Sequence, residues 1–370
     1  MPVTEPAAAP PPDRPPVTDP EPRLLLTAVV GSYAVPDWLG RFKTDYHRGR
    51  LSAAAVVEVE AVAVKAAVVD QTLAGVDVIS DGELRRDNDM DILLCAIGGI
   101  EVGGERKRDF FDYLDASVRG PLAAVPGIDT SRLLDELAFA RRLTAKTLTT
   151  SLPGPFSLSR QIRRDGEVCE GDLVRSIARA TNVACKALVA AGATHLQLDE
   201  PRLAGYPEHV GLALEAVNLA TEGVDAHVAL HVCYGNRFAR PAWEGHYDFL
   251  FPALESARVD EVVLEFARKG FDDLRLFARS SSSIEVGVGV IDVKRPEVEP
   301  VEVVVGRLRE ALRVLPPERV VVNPDCGLRH LPAESARRKL AAMVEATAVV
   351  RAEVLGERPP VREDGAWATT

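Results

Sequence analysis

The stretch "HVALHVCYGN", residues 227–236, is apolar from Val228 to Cys233 except for His231, and it stops at Gly235 and Asn236, both turn formers. It reads as a buried β-strand. Side chains alternate across a strand, so His231 and Cys233 share a face about 7 Å apart along the chain. Such a pair can hold one metal ion. It can equally be a core histidine bonded to a backbone carbonyl beside a thiol that packs as a small hydrophobe.

Working outward, seven more short runs have the same strand character: 24–30, 76–80, 147–151, 194–199, 261–266, 284–290 and 319–324. Alanine- and leucine-rich stretches with helical period separate most of them, for example 52–74, 171–191, 302–315 and 333–353. Strands alternating with helices make parallel βα units, and eight of them predict an α/β fold of the closed (β/α)8 TIM-barrel type rather than an open doubly wound sheet. The connection from 81 to 146 is too long for a plain βα loop. It contains "RKRDFFDYLD" and a helix-like stretch near 130–142, so it is expected to be a long insertion after strand two that covers the barrel mouth as a lid. The first 22 residues hold nine prolines and predict a disordered tail (1–22); the barrel spans 23–355 and a second tail 356–370.

Composition narrows the function. With 46% apolar and 27% charged residues the chain is enzyme-like, and a net charge of −11 without a basic run excludes nucleic acid and anionic membrane surfaces as partners. Five scattered cysteines, Cys95, Cys169, Cys185, Cys233 and Cys326, are no disulfide framework and predict a reducing, cytoplasmic setting. No signal-peptide pattern and no run of about 18 apolar residues is present.

In a barrel the active site lies at the C-terminal strand ends. Gly31 and Ser32 follow strand one, Asp81 and Glu83 strand two, Asp199 and Glu200 strand four, His231 and Cys233 strand five, Glu265 strand six, Asp292 and Lys294 strand seven, Asp325 and Cys326 strand eight. A soft divalent ion is the simplest reason to gather one histidine, two cysteines and a carboxylate on successive strands, and zinc takes these ligands tetrahedrally. Bound there, a substrate thiol is deprotonated yet nucleophilic, which predicts alkyl transfer to sulfur.

The ordered motifs "VVGSY", "DGELRRDNDM", "LPGPFSL", "LQLDEP", "HVCYGN", "VVLEFAR" and "VVNPDCGL" resemble those of the catalytic C-terminal barrel of cobalamin-independent methionine synthases, over residues 24–351. The resemblance implies a single-barrel, zinc-dependent S-methyltransferase that makes methionine from homocysteine. By position it implies zinc ligands His231, Cys233, Glu265 and Cys326. It also implies a homocysteine carboxylate held at Val30, Gly31 and Ser32, and an amine held by Glu83 and Asp199. On the donor side the chain departs from the family: Gln161 replaces a tryptophan, Gly205 an acid, and Lys294 a proton-donating histidine. The expected methyl donor is therefore either a folate or a methylated corrinoid carried by another protein, and Lys294 is a candidate catalytic group beside Glu265. Two alternatives stay open: a zinc transferase that opens an epoxide with a coenzyme M-type thiol, where Lys294 stabilises the alkoxide, and a metal-free protein on the related uroporphyrinogen decarboxylase barrel. Arg85 and Arg86 either guide an acidic donor or solvate a loop.

Overall fold

The strand-like runs read from the sequence form strands or strand-like pairings, and most of their valines are buried in the core shared with the helices. The computed structural model describes residues 24–103, 107, 109–280 and 282–358. The expected tail at 1–22 and most of the one at 356–370 lie outside the described residues. In chain order the strands are β1 (Val78–Ile79), β2 (Glu101–Val102), β3 (Ala116–Val118), β4 (Thr147–Pro153), β5 (Ile162–Arg164), β6 (His195–Asp199), β7 (His227–Val232), β8 (Glu261–Leu264), β9 (Glu285–Ile291) and β10 (Val320–Pro324).

Seven of them make one parallel sheet in the order β1-β4-β6-β7-β8-β9-β10. The first expected strand, 24–30, shrinks to two parallel bridges: Thr27 pairs with Val322 of β10 and Ala28 with Val78 of β1. Hydrogen bonds from Ala28 N–H to the Val322 carbonyl (2.9 Å) and from Val29 N–H to the Val78 carbonyl (3.1 Å) join the sheet's two edges, so the barrel closes on itself. The register then sets the site, because Asp199 lies opposite His231, and His231 opposite Val263. Side chains at the strands' C-terminal ends converge.

Helices cover the outside. The one at Glu170–Ala190 buries Leu173, Ile177, Ala180, Ala184 and Leu188 at helical spacing, and Glu170 and Asp172 in its first turn favour the positive end of its dipole. The helix Ala333–Leu355 ends at Gly356, whose φ of +68° supplies the left-handed residue that closes such a terminus. Between β1 and β4 lie helices Asp91–Leu94 and Ser131–Arg141 and the strands β2 and β3. With β5 these two strands form a separate three-stranded sheet, which the sequence did not suggest. Among the described residues no helix is long and apolar enough to cross a membrane.

Candidate metal centre and substrate cavity

His231 sits on β7, Cys233 follows that strand's end, and Cys326 follows the Asn323-Pro324-Asp325 turn that ends β10. The buried Asp325 carboxylate accepts the backbone N–H groups of Phe266 (2.9 Å), Ala267 (2.8 Å) and Arg268 (3.0 Å), tying the end of β8 to this turn. The two sulfurs are 3.9 Å apart, and the donor atoms of His231, Cys233 and Cys326 all lie within 4.8 Å of one another. His231 Nδ1 meets the Val263 carbonyl at 3.2 Å, while its buried Nε2 has no hydrogen-bond partner among the described residues. A buried imidazole nitrogen left open beside two thiols is what a soft metal needs, and zinc fits this donor set.

Without an ion, the three donors share protons among themselves. The neighbouring Cys233 thiol, and then His231, hold the Cys326 thiol well below its ordinary range against the opposing pull of burial. The hydrogen bond to Cys326 and burial push Cys233 up. Burial acts to depress His231, yet the negative charge of Cys326, Asp199 and Glu265 raises it to about 9.

Glu265 and Lys294 meet each other one strand away. The Lys294 ammonium donates to both carboxylate oxygens of Glu265 at 2.9 Å, with the side chains 4% and 0% exposed, and Tyr234 N–H adds a contact of 3.2 Å. Glu265 is thus outside the close cluster of the other three donors. Lys294 does not line the cavity described next. Burial lowers its pKa, but Glu265 and the two sulfurs outweigh this and raise it, which makes it a poor proton donor.

The three metal donors open on a cavity of about 380 Å³ that Ser32, Glu83 and Asp199 also line. Gly31 turns the chain with a φ of +59°, and an added Cβ there would meet Glu83 Oε1 and Ser151 Oγ at 2.5 and 2.8 Å. Glu83 accepts from the Ser151 hydroxyl and from Arg329 Nη2 (2.9 Å), so it already has one cation. Asp199 accepts only from Gln197 Nε2 (2.7 Å) among the described residues, and burial pushes its carboxyl up to about 8. A bound ammonium offsets that cost.

The insertion contributes Asn88, Asp89, Met90, Phe111 and Tyr113 to the cavity wall. Arg86 is buried instead, donating to Glu136 (2.9 Å) and to the Ser151 carbonyl (2.8 Å), and Arg85 lies over the Phe139 ring at 4.9 Å; neither lines the cavity. Gln161 and Gly205 stand behind the wall. Arg202 donates to Gln161 Oε1 at 2.6 Å, and the Trp243 indole packs directly on Gly205, leaving no room for a Cβ. Arg202 and Trp243 themselves line the cavity, as do Arg237 and Arg329. These were missed from sequence; only Arg329, three residues beyond Cys326 on the same turn, had a signal.

The comparisons with known proteins agree with this geometry. Residues 25–349 match the family model described as "Cobalamin-independent synthase, Catalytic domain". The chain is 35% identical over 334 residues to a methionine synthase of Saccharolobus solfataricus, covering 90% of this chain and 96% of that one. It is 33% identical over 334 residues to a methionine synthase of Sulfolobus acidocaldarius, covering 90% and 94%. A B12-independent methionine synthase from Shewanella sp. W3-18-1, solved in complex with selenomethionine, superposes with a TM-score of 0.76 at 25% identity over 90% of this chain and 99% of that one. Barrel, site and relatives together place the chain in the cobalamin-independent methionine synthase family, as an enzyme built on that family's catalytic domain.

Proposed function

We propose that the protein methylates the thiol of homocysteine to give methionine, with zinc held by His231, Cys233 and Cys326 and with Glu265 as the fourth ligand when the ion is bound. The observation that carries the reading is the unpartnered His231 Nε2 beside two sulfurs 3.9 Å apart, at a cavity that also holds Asp199 and Glu83. Zinc there supplies deprotonation of a thiol that stays nucleophilic.

The chain's own groups do the rest. Asp199 and Glu83 receive the substrate ammonium, and Ser32 and the backbone at Gly31 receive its carboxylate. These contacts aim the sulfur at the donor's methyl carbon, so that the new C–S bond forms as the bond to the donor breaks. The donor is of folate type: the aromatic faces of Tyr113 and Trp243 and the cations Arg202 and Arg237 suit a flat ring carrying carboxylates. A corrinoid carrier has no support from the cavity or the relatives. The selenomethionine in the Shewanella relative supports a methionine-shaped product. The free cysteines fit a cytosolic setting.

Calorimetry of homocysteine, cysteine and coenzyme M binding to the zinc-loaded protein tests the acceptor. Selective homocysteine binding with about one proton released is expected. Preference for coenzyme M sinks the reading in favour of the epoxide-type transferase. Cys326→Ser is expected to lose both zinc and turnover, and full activity in that variant contradicts a metal role.

A further inference from the structure

The opposite rim of the barrel carries a second cluster with ligand chemistry. His227, Glu261 and Glu285 are the first residues of β7, β8 and β9, and the registers place Glu261 opposite both Ala229 and Glu285. One donor atom from each lies within 4.8 Å of the others. His227 Nε2 is 3.2 Å from Glu261 Oε2. Glu261 is only 5% exposed, and its Oε1 has no hydrogen-bond partner among the described residues. It lies against Gly287, where Asn323 Oδ1, also without a partner, comes within 2.9 Å of the position of an added Cβ. Two buried acceptors without a donor mark a place that wants positive charge.

The nearest positive group is His227 itself, which Glu261, Glu285 and Asp260 hold above its ordinary range against the pull of burial. Among the described residues no lysine or arginine pairs with Glu261 or Glu285. Asp260, next along the chain, adds a further carboxylate, whose Oδ2 caps Val228 N–H at 2.8 Å. Burial raises Glu285 by more than the neighbouring His227 lowers it. The His195 ring lies beside His227 with centroids 5.0 Å apart and planes tilted by 32°. His195, His227 and Asp260 open on a surface groove, which gives an ion a way in.

We propose that His227, Glu261 and Glu285 form a second divalent-metal site, of the imidazole-and-carboxylate class taken by zinc or cobalt(II), with its remaining positions filled by water. Calcium and magnesium suit it less, because both favour all-oxygen ligation. The ion would clamp the N-terminal ends of β7, β8 and β9, whose other ends carry His231 and Cys233, Glu265, and Lys294 respectively. The two sites are about 13 Å apart, from four residues of strand rise between His227 and His231. That separation makes this a structural ion, distinct from the one proposed for thiol activation.

Cobalt(II) titration of the chelator-treated full chain tests the proposal. Two ions per chain are expected, one with the sulfur-to-metal charge-transfer band of the thiolate site and one without it. Glu285→Gln and His227→Gln should each lose the ion without that band, at concentrations that saturate the native protein, while keeping the sulfur band. If His227→Gln fails to fold, the half-buried Glu285→Gln decides. A native protein that binds only the ion with the sulfur band, or an unchanged band-free ion in Glu285→Gln, overturns the site. Absence of the sulfur band instead counts against the thiol-activating centre and leaves this proposal standing.

Discussion

Lys294→Met removes the ammonium that bonds both oxygens of Glu265 and leaves a fully buried carboxylate with only the looser Arg268 Nε, at 3.7 Å, as a cation partner among the described residues, while preserving side-chain length. The two side chains are 4% and 0% exposed, and both oxygens lie 2.9 Å from the ammonium. Breaking a buried pair by deleting one partner costs roughly 3–5 kcal/mol. Unfolding entropy runs at about 2.1 cal/mol/K per residue, so over a barrel of this span the loss corresponds to a Tm lower by about 4–7 °C. That figure applies to chelator-treated protein. With zinc bound, Glu265 gains a new cationic partner on the metal side, and the difference between variant and native protein should largely close. Scanning calorimetry of both proteins, each with chelator and with saturating zinc, gives the four values required. An equal Tm gap with and without zinc refutes the idea that Glu265 changes partner, and no gap in either state refutes the energetic argument itself.

The cavity makes further predictions. Asp199→Asn should weaken homocysteine binding by about 1.5–3 kcal/mol, the worth of one charge-assisted contact, with zinc affinity unchanged by calorimetry. Unaltered homocysteine affinity removes its assigned role. Gly205→Ala forces Trp243 off its seat, so the KM for a folate-type donor should rise while homocysteine affinity holds; steady-state kinetics with each substrate varied in turn separates the two. His330 is held down to about 4 by burial and by Arg329, below its ordinary value of about 6.5. The unfolded chain therefore binds more protons between those values, and stability from this group is present above pH 6.5 and lost as pH falls towards 4. His330→Gln should flatten that part of the Tm–pH curve, and an unchanged slope excludes His330 as its source.

The barrel was legible because its strands are short β-branched runs, each ending in a polar residue. Seven of the eight runs became strands within a few residues of their expected limits. The segment at 24–30 fell to two bridges, and its Leu25 already has a φ of +56°, outside extended geometry. The sheet of β2, β3 and β5 was hidden because two- and three-residue strands have no readable alternation. The helix Val210–Ala220, "VGLALEAVNLA", is apolar on nearly every side and so lacks a clear stripe. At the site, His231, Cys233 and Cys326 could be read from strand ends alone. Pairings such as Lys294 with Glu265, Arg329 with Glu83 and Trp243 on Gly205 could not, since they depend on side-chain reach between distant segments.

The two bridges at Thr27 and Ala28 make the barrel's seam its thinnest point. Elsewhere neighbouring strands share ladders of up to five residue pairs, as between β9 and β10, whereas the seam has one bridged pair on each flank. Just beyond it lie Gly31 and Ser32, and across from them Cys326 and Gly327, with Leu328 N–H bonded to the Ser32 carbonyl at 2.8 Å. The proposed anchor for the substrate carboxylate and one sulfur of the candidate metal centre thus stand on opposite banks of the same narrow joint. Breathing of this joint changes the span between anchor and sulfur, and amide hydrogen exchange at Ala28, Val29 and Val322 is where such motion would register first.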